Sequence, residues 1–223
     1  MIITIDGPTA SGKSTIGRLL AKDLKYYYLY TGLLYRALAH LLIKYYGYTL
    51  ETIAHPDMKL VDQLLDTQKF VYFYEPTDRE RIVYDGVDIT DQLRGDKIGQ
   101  GASLVSTNPQ VRERLDLLQQ AIANDHDVVI DGRDSGSVVF PHAEHKFFLT
   151  ASEDERATRW QKQQMDRGIV TSFSDAQSFI SSRDQRDSSR AIAPLTIPIG
   201  AQVIDATHLT VTQVLKKITS ALI

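Results

Sequence analysis

Apolar and polar positions along the chain switch repeatedly between a two-residue and a helical period. Ile2, Ile3 and Ile5 bracket Thr4 and stop at Asp6, which predicts a short buried strand. The segment IGRLLAKDL then places Ile16, Leu19, Leu20 and Leu24 at helical spacing. The aromatic run YYYLYTG predicts a strand ending in a turn, and LLYRALAHLLIKYYG a helix stopped by Gly47, with Tyr35 and Arg36 in its first turns. Residues 57–67 predict another helix. KFVYFYE and RIVYDG, separated by the turn-rich PTDR, predict a small antiparallel insertion.

The second half repeats the alternation. Pro109, after Asn108, occupies a first helical position, and Leu115, Leu118 and Ile122 continue the period. DVVIDGRD predicts a buried strand ending in acid, and KFFLT a further strand. A charged helix begins near Ser152, a polar one spans about 174–189, and VID precedes a final helix in TVTQVLKKITSALI. Strands alternating with helices predict an α/β fold with a parallel sheet. The polar residues 166–190 read as a mobile cover.

Between the first strand and first helix lies Gly7, Pro8, Thr9, Ala10, Ser11, Gly12, Lys13, Ser14 and Thr15, which fits G-x-x-x-x-G-K-[ST] in the strand–loop–helix context that this motif requires. Glycines let backbone N–H groups turn inward around an anion, and the helix N-terminus adds its positive end. Lys13 supplies a point charge for the β- and γ-phosphates and Ser14 a hydroxyl ligand for Mg²⁺. The motif names the phosphate donor and leaves the acceptor open.

Composition narrows the picture further. At 223 residues and 43% hydrophobic content the chain can bury one full core, so a single domain over 1–223 is expected. Without cysteine there is neither a disulfide framework nor a thiolate metal site. The first strand begins at Ile2, which leaves no room for a signal sequence, and no apolar run approaches the roughly 18 residues of a membrane span, so a cytoplasmic protein is expected. A net charge of −3 argues against bulk nucleic-acid binding, yet seven arginines fall between Arg133 and Arg190.

Asp131 ends an apolar β-run, a position from which a carboxylate can reach Mg²⁺ or its waters, although an ordinary strand-end acid reads the same way. Gly132 permits close backbone approach, and the Arg133 guanidinium can clamp phosphate in a fork, beside Asp134. Arg183, Asp187 and Arg190, spaced four and three apart, share one helical face, with Arg186 beside them. Spacing alone leaves open whether that face is a solvated charge ladder or a pocket wall.

The segments IDGPTASGKST, YTGLLYRAL, DGVDIT, SLVSTNPQVR, DGRDSGSVVFP and RDQRDSSRAIAPL, in order from residue 2 to about 207, together resemble the bacterial cytidylate kinase family. The resemblance implies a P-loop NTPase fold of three α/β/α layers around a parallel central sheet, with an NMP-binding insertion at about 30–108 and a helical lid at about 152–190. It implies transfer of a phosphoryl group from ATP to CMP and dCMP, with Mg²⁺ bridging phosphates and no covalent intermediate. By the same resemblance Thr31, Arg36, Arg133 and Arg190 hold the CMP phosphate, Ser103, Arg112 and Asp134 read cytosine, and Arg183 and Asp187 bind ribose. A carboxylate suits the cytosine amino group, where uracil presents an oxygen.

Arg156 and Arg159 match the lid and, with Lys13, Arg133 and Arg186, form the implied catalytic cations. Tyr35 matches the family tyrosine preceding the phosphate arginine, and a packing role fits it equally. A monomer is expected, with no nucleic-acid or membrane partner. Two positions depart from the pattern. Tyr30 stands where an acid begins the family's DTG or DSG, and Trp160 where a second lid arginine is common. These departures leave room for a broader UMP/CMP kinase, or for a nucleotide-binding regulatory protein of weak activity.

Overall fold

A computed structural model describes residues 1–75 and 79–222 of the chain. The chain runs through β1 (Ile2–Asp6), α1 (Lys13–Leu24), β2 (Tyr27–Tyr30), α2 (Thr31–Tyr46) and α3 (Met58–Leu64). Next come β3 (Phe70–Tyr74), β4 (Glu80–Tyr84), β5 (Val87–Asp88), α4 (Asp96–Val105) and α5 (Pro109–Asn124). It continues through β6 (Val128–Asp131), β7 (His145–Thr150), α6 (Glu153–Met165), α7 (Phe173–Ser189), β8 (Gln202–Asp205) and α8 (Val211–Ser220). The expected PTDR turn falls largely on Pro76, Thr77 and Asp78, outside the described residues. The fold is α/β, and it divides into two compact units, Met1–Leu24 with Val129–Ile223, and Lys25–Val128.

In the first unit β6, β1, β7 and β8 lie side by side in that order, as four of the five strands of the larger sheet. The β1/β7 and β7/β8 pairs are parallel, with Asp6 opposite Phe148 and Thr150 opposite Asp205. Parallel strands covered on both faces need continuous apolar runs, and Ile3, Ile5, Val129, Ile130, Phe147 and Leu149 are buried accordingly. Helix α1 buries Ile16, Leu20 and Ala21 and packs beside α8, which buries Val214 and Ile218. Helices α6 and α7 form a pair around Ala157, Ala176 and Ile180, closed by Trp160 stacked on Phe179 with ring centroids 4.4 Å apart.

The second unit is built around α2, ten of whose sixteen residues are buried. Helix α4 packs against it so closely that a Cβ on Gly101 would stand 3.2–3.4 Å from side-chain atoms of Ile43, Ala39 and Ile53. The sequence did not predict α4, because Gly99 and Gly101 disfavour a helix locally and only this close packing rewards them. Strands β3 and β4 form the expected antiparallel pair, with Phe70 opposite Tyr84 and Tyr74 opposite Glu80, and β5 adds a short third strand that the sequence reading did not expect. The Tyr72 hydroxyl ties it to β2, donating to the Tyr28 carbonyl at 2.9 Å and accepting from the Tyr30 N–H at 3.0 Å.

Where a turn was expected after β2, α2 begins directly at Thr31, and it ends at Gly47 in a left-handed conformation, φ 68°. Tyr30 is the N-cap, and its side chain makes no capping hydrogen bond.

Candidate active site

The phosphate loop leaves β1 through Gly7, whose φ of 148° and close passage over β7 both exclude a side chain. A Cβ there would fall 2.0 Å from the Leu149 carbonyl oxygen. Ala10 and Gly12 also have positive φ, 58° and 103°, so the loop curls inward before α1 starts at Lys13. Lys13 Nζ donates to the Pro8 carbonyl at 2.6 Å and the Ser11 hydroxyl at 3.2 Å, and the side chain is buried. Burial, and then the nearby Arg133 charge, push its ammonium down to about 7, while Asp131, Asp184 and Asp6 pull the other way. A phosphate dianion at this loop would therefore gain a full cation that the protein alone holds only at a cost.

Two arginines of α6 reach the same loop. Arg156 donates through Nε to the Ala151 carbonyl at 3.0 Å and through Nη1 to the Thr9 carbonyl at 3.2 Å. It also forms an ion pair with Asp184, whose other oxygen accepts from the Thr9 N–H at 2.9 Å. Arg159 donates to the carbonyls of Ser11 and Ala206 at 3.2 and 2.7 Å and is steadied by Glu155 at 2.9 Å. Trp160 joins the α6–α7 apolar contact and stacks on Phe179, so its ring supports the pairing of these two helices.

The segment after β6 is shaped by Asp6. Its carboxylate accepts from the N–H groups of Ser135 and Gly136 at 2.9 and 2.7 Å, and burial raises it to about 6, against the lowering effect of those two bonds. These contacts hold a single π-helical turn, Ser135–Val139, immediately after Arg133 and Asp134. A Cβ on Gly132 would fall 2.0 Å from the Ser135 hydroxyl and one on Gly136 2.6 Å from the Thr4 hydroxyl, with an Asp6 oxygen at 3.2 Å in each case, so this packed turn requires both glycines. Asp131 is buried at the end of β6.

Helix α7 presents the charged face expected from spacing. Asp187 is buried and accepts from Arg133 Nε at 3.1 Å, while its carbonyl accepts from Arg190 Nε at 3.3 Å. Burial alone would raise the Asp187 carboxyl, but Arg133, Arg183 and Arg190 together hold it below the usual carboxylate range. The structure thus gathers Lys13, Asp131, Arg133, Arg156, Arg159, Arg183, Asp187 and Arg190 in one unit, and the 183–190 face encloses a buried acid. Arg186 lies on the same helix, and its Nε finds no partner among the described residues.

The remaining predicted residues lie in the second unit. Thr31 and Tyr35 are buried on α2, and the Arg112 guanidinium stands over the Tyr35 ring, 5.7 Å from its centroid. Arg112 also donates to the Ser106 carbonyl at 3.4 Å. Arg36 donates to the carbonyls of Leu93 at 3.0 Å and Gly95 at 3.5 Å, beneath Gly99, whose missing Cβ would stand 2.9 Å from Arg36 Nη2. Ser103 is buried with no hydrogen-bond partner for its hydroxyl among the described residues.

Sequence reasoning missed Asp6 and Asp184. Asp6 was read only as the end of a strand, and its place immediately before Gly7 was the available signal. Asp184 is adjacent to Arg183 and three residues before Asp187, which puts it at the edge of the 183–187–190 face, a spacing that was the available signal.

Residues 3–222 match the profile of the cytidylate kinase family. The chain belongs to that family. It is 42% identical to a cytidylate kinase of Azotobacter vinelandii over 99% of this chain and 94% of the relative. It is 39% identical to one of Marinomonas sp. over 97% and 93%. In fold it resembles a solved structure of an uncharacterised protein from Eubacterium ventriosum, with a TM-score of 0.55 and 11% identity, covering 100% of this chain and 98% of that one.

Proposed function

We propose that the protein transfers the terminal phosphoryl group of ATP to CMP, and to dCMP, giving ADP and the cytidine diphosphate. The observation that carries this reading is the closeness of Arg133 to Lys13: the acceptor-side guanidinium, anchored by Asp187, is near enough to depress the donor-loop ammonium. One phosphoryl group passing between the two sites would meet both cations.

In this reading the loop amides, Lys13, Arg156 and Arg159 hold the donor phosphates. Arg36, Arg133 and Arg190, with Thr31, hold the acceptor phosphate. Ser103, Arg112 and Asp134 select the base, Tyr35 steadies Arg112, and Arg183 and Asp187 take the ribose, with Arg186 adding charge at the transfer step. Residues 30–108 serve as the acceptor-binding insertion and 152–190 as the lid. No side chain acts as a nucleophile, because positioning and electrostatic stabilisation suffice for phosphoryl transfer.

Mg²⁺ fits the donor set. It is typically held by one or two protein oxygens plus phosphates, and among the described residues no three acids or histidines gather to bind a metal unaided. Ser14, with Asp131 through water, would hold it, and it would neutralise charge on the β- and γ-phosphates. Asp131 already acts on Lys13 electrostatically, which places an acid beside the loop.

The protein acts in this reading as a cytoplasmic monomer. Among the described residues no helix is long and apolar enough to cross a membrane. Initial rates with ATP and Mg²⁺ across CMP, dCMP, UMP, AMP, GMP and shikimate test the function. CMP and dCMP should give the highest kcat/KM. A higher value for any other acceptor, or no turnover with all six, overturns it.

A further inference from the structure

Asp184 has no part in the assignments above, yet it joins three elements. One carboxylate oxygen accepts from the Thr9 N–H at 2.9 Å, and the other pairs with Arg156, which in turn donates to the Thr9 carbonyl at 3.2 Å. Both backbone polar groups of Thr9 are thus held by one ion pair. The pair is well shielded, with side-chain exposures of 10% for Arg156 and 18% for Asp184, so it is coupled more strongly than a surface salt bridge. The next residue, Ala10, has φ 58°, a left-handed conformation that a non-glycine residue holds only when its surroundings impose it. The clamp on Thr9 is the imposed constraint on that side of the loop.

Asp184 also sits on α7 between the residues that the proposed function gives to the acceptor, one after Arg183 and three before Asp187. Asp187 fixes Arg133 from the same helix. Two adjacent turns of α7 therefore grip a lid arginine with the donor loop and an acceptor arginine.

We infer that Asp184 is a positioning residue for phosphoryl transfer, which keys α7 to the donor loop through Thr9 and aims Arg156 at the transferred group. It touches no reacting atom and acts through the Arg156 guanidinium and the Thr9 backbone. The inference rests on the proposed kinase reading. An acid so close to bound phosphates repels them, so its contribution lies in geometry rather than in binding.

The test compares the native protein with Asp184→Asn, Asp184→Ala, Arg156→Ala and the double variant Asp184→Asn/Arg156→Ala. Rates are measured with the acceptor that the native protein uses fastest, so that failure with CMP counts against the functional reading alone. ATP affinity is followed by the fluorescence of Trp160, the single tryptophan, which lies in the α6–α7 contact. Asn keeps an oxygen for the Thr9 N–H but turns an amide NH2, which cannot accept, toward Arg156, so it removes both the charge and the acceptor that face that guanidinium.

Asp184→Asn should lower kcat about tenfold and Asp184→Ala up to about 100-fold, the scale at which misplacing a catalytic group acts. ATP should bind within about threefold of native or more tightly. In the Arg156→Ala background the Asn substitution should cost less than about threefold, because both changes remove the same contact. Three results would overturn the inference: native kcat in Asp184→Asn, a loss explained by weaker ATP binding, or a full tenfold loss added to that of Arg156→Ala. Should Asp184→Ala fail to fold, the Asn series decides alone.

Discussion

Arg133, Arg156 and Arg159 in the first unit and Arg36 in the second differ in their partners, although elsewhere in the second unit Arg79, Arg81 and Arg114 also pair with acids. In the first unit Arg133 is matched by Asp187, Arg156 by Asp184 and Arg159 by Glu155. In the second, Arg36 is held by the carbonyls of Leu93 and Gly95, and Arg112 lies over the Tyr35 ring. A carboxylate partner fixes a guanidinium in place but offsets its charge. A carbonyl, as at Arg36, fixes it and leaves the charge whole. The first arrangement suits groups that must be pre-aimed at charge developing during transfer, and the second suits groups that attract a dianion.

The largest expected effect is that of Lys13→Ala. Removing a preorganised cation beside the transferring group should lower kcat by about 10²–10³-fold with KM for CMP little changed. The fold should survive, because the buried ammonium is a burden to it. Lys13 titrates near 7 in the fold against 10.5 ordinarily, so between those values the unfolded chain binds the extra proton and native stability rises with pH. That rise should flatten in the variant, as thermal unfolding at pH 7 and pH 9.5 would show. An unchanged pH dependence would mean that Lys13 carries its full charge in the fold.

Arg36→Ala comes next. Losing a hydrogen bond to a charged group of about 1.5–3 kcal/mol should raise KM for CMP by about 10–100-fold and leave kcat within about threefold. Steady-state kinetics in CMP at saturating ATP measures both. Asp134→Ala should cost CMP about tenfold more than UMP in kcat/KM, since it removes an acceptor for the cytosine amino group and relieves repulsion of the uracil oxygen. An equal loss for both would take Asp134 out of base recognition.

The phosphate loop and the charged face of α7 were legible because both are local patterns: the contiguous run from Gly7 to Thr15 and the helical spacing of Arg183, Asp187 and Arg190. The antiparallel β3/β4 pair of the second unit was equally plain from KFVYFYE and RIVYDG. What escaped was set by contacts distant in sequence. Helix α4 depends on Gly101 fitting against Ala39 and Ile43, and the π-helical turn after Asp134 depends on Asp6, about 130 residues away. Asp184 gains its meaning only from Thr9, 175 residues earlier. The Trp160 departure has a packing reason, since the ring stacks on Phe179.

Tyr30 has the smallest expected effect. As the N-cap of α2 it makes no side-chain cap, and its ring lies against Gly32, where a Cβ would meet it at 2.8 Å. Tyr30→Asp supplies a carboxylate that can cap the helix or face the phosphates, and should raise kcat by up to about tenfold, which is about 1.4 kcal/mol of barrier. A fall in kcat at unchanged melting temperature would show that the phenol is already integrated into the site.

The central claim of the proposed function is that Lys13 on the phosphate loop sets the rate and the carbonyl-held Arg36 sets acceptor binding. Its most direct test is kcat and KM for CMP in Arg36→Ala and Lys13→Ala, measured side by side under one set of conditions. The account requires opposite splits: KM rising by at least tenfold with kcat nearly native in Arg36→Ala, and kcat falling by at least 100-fold with KM nearly native in Lys13→Ala. A collapse of kcat in Arg36→Ala with KM unchanged, or a loss in Lys13→Ala confined to KM, would contradict it.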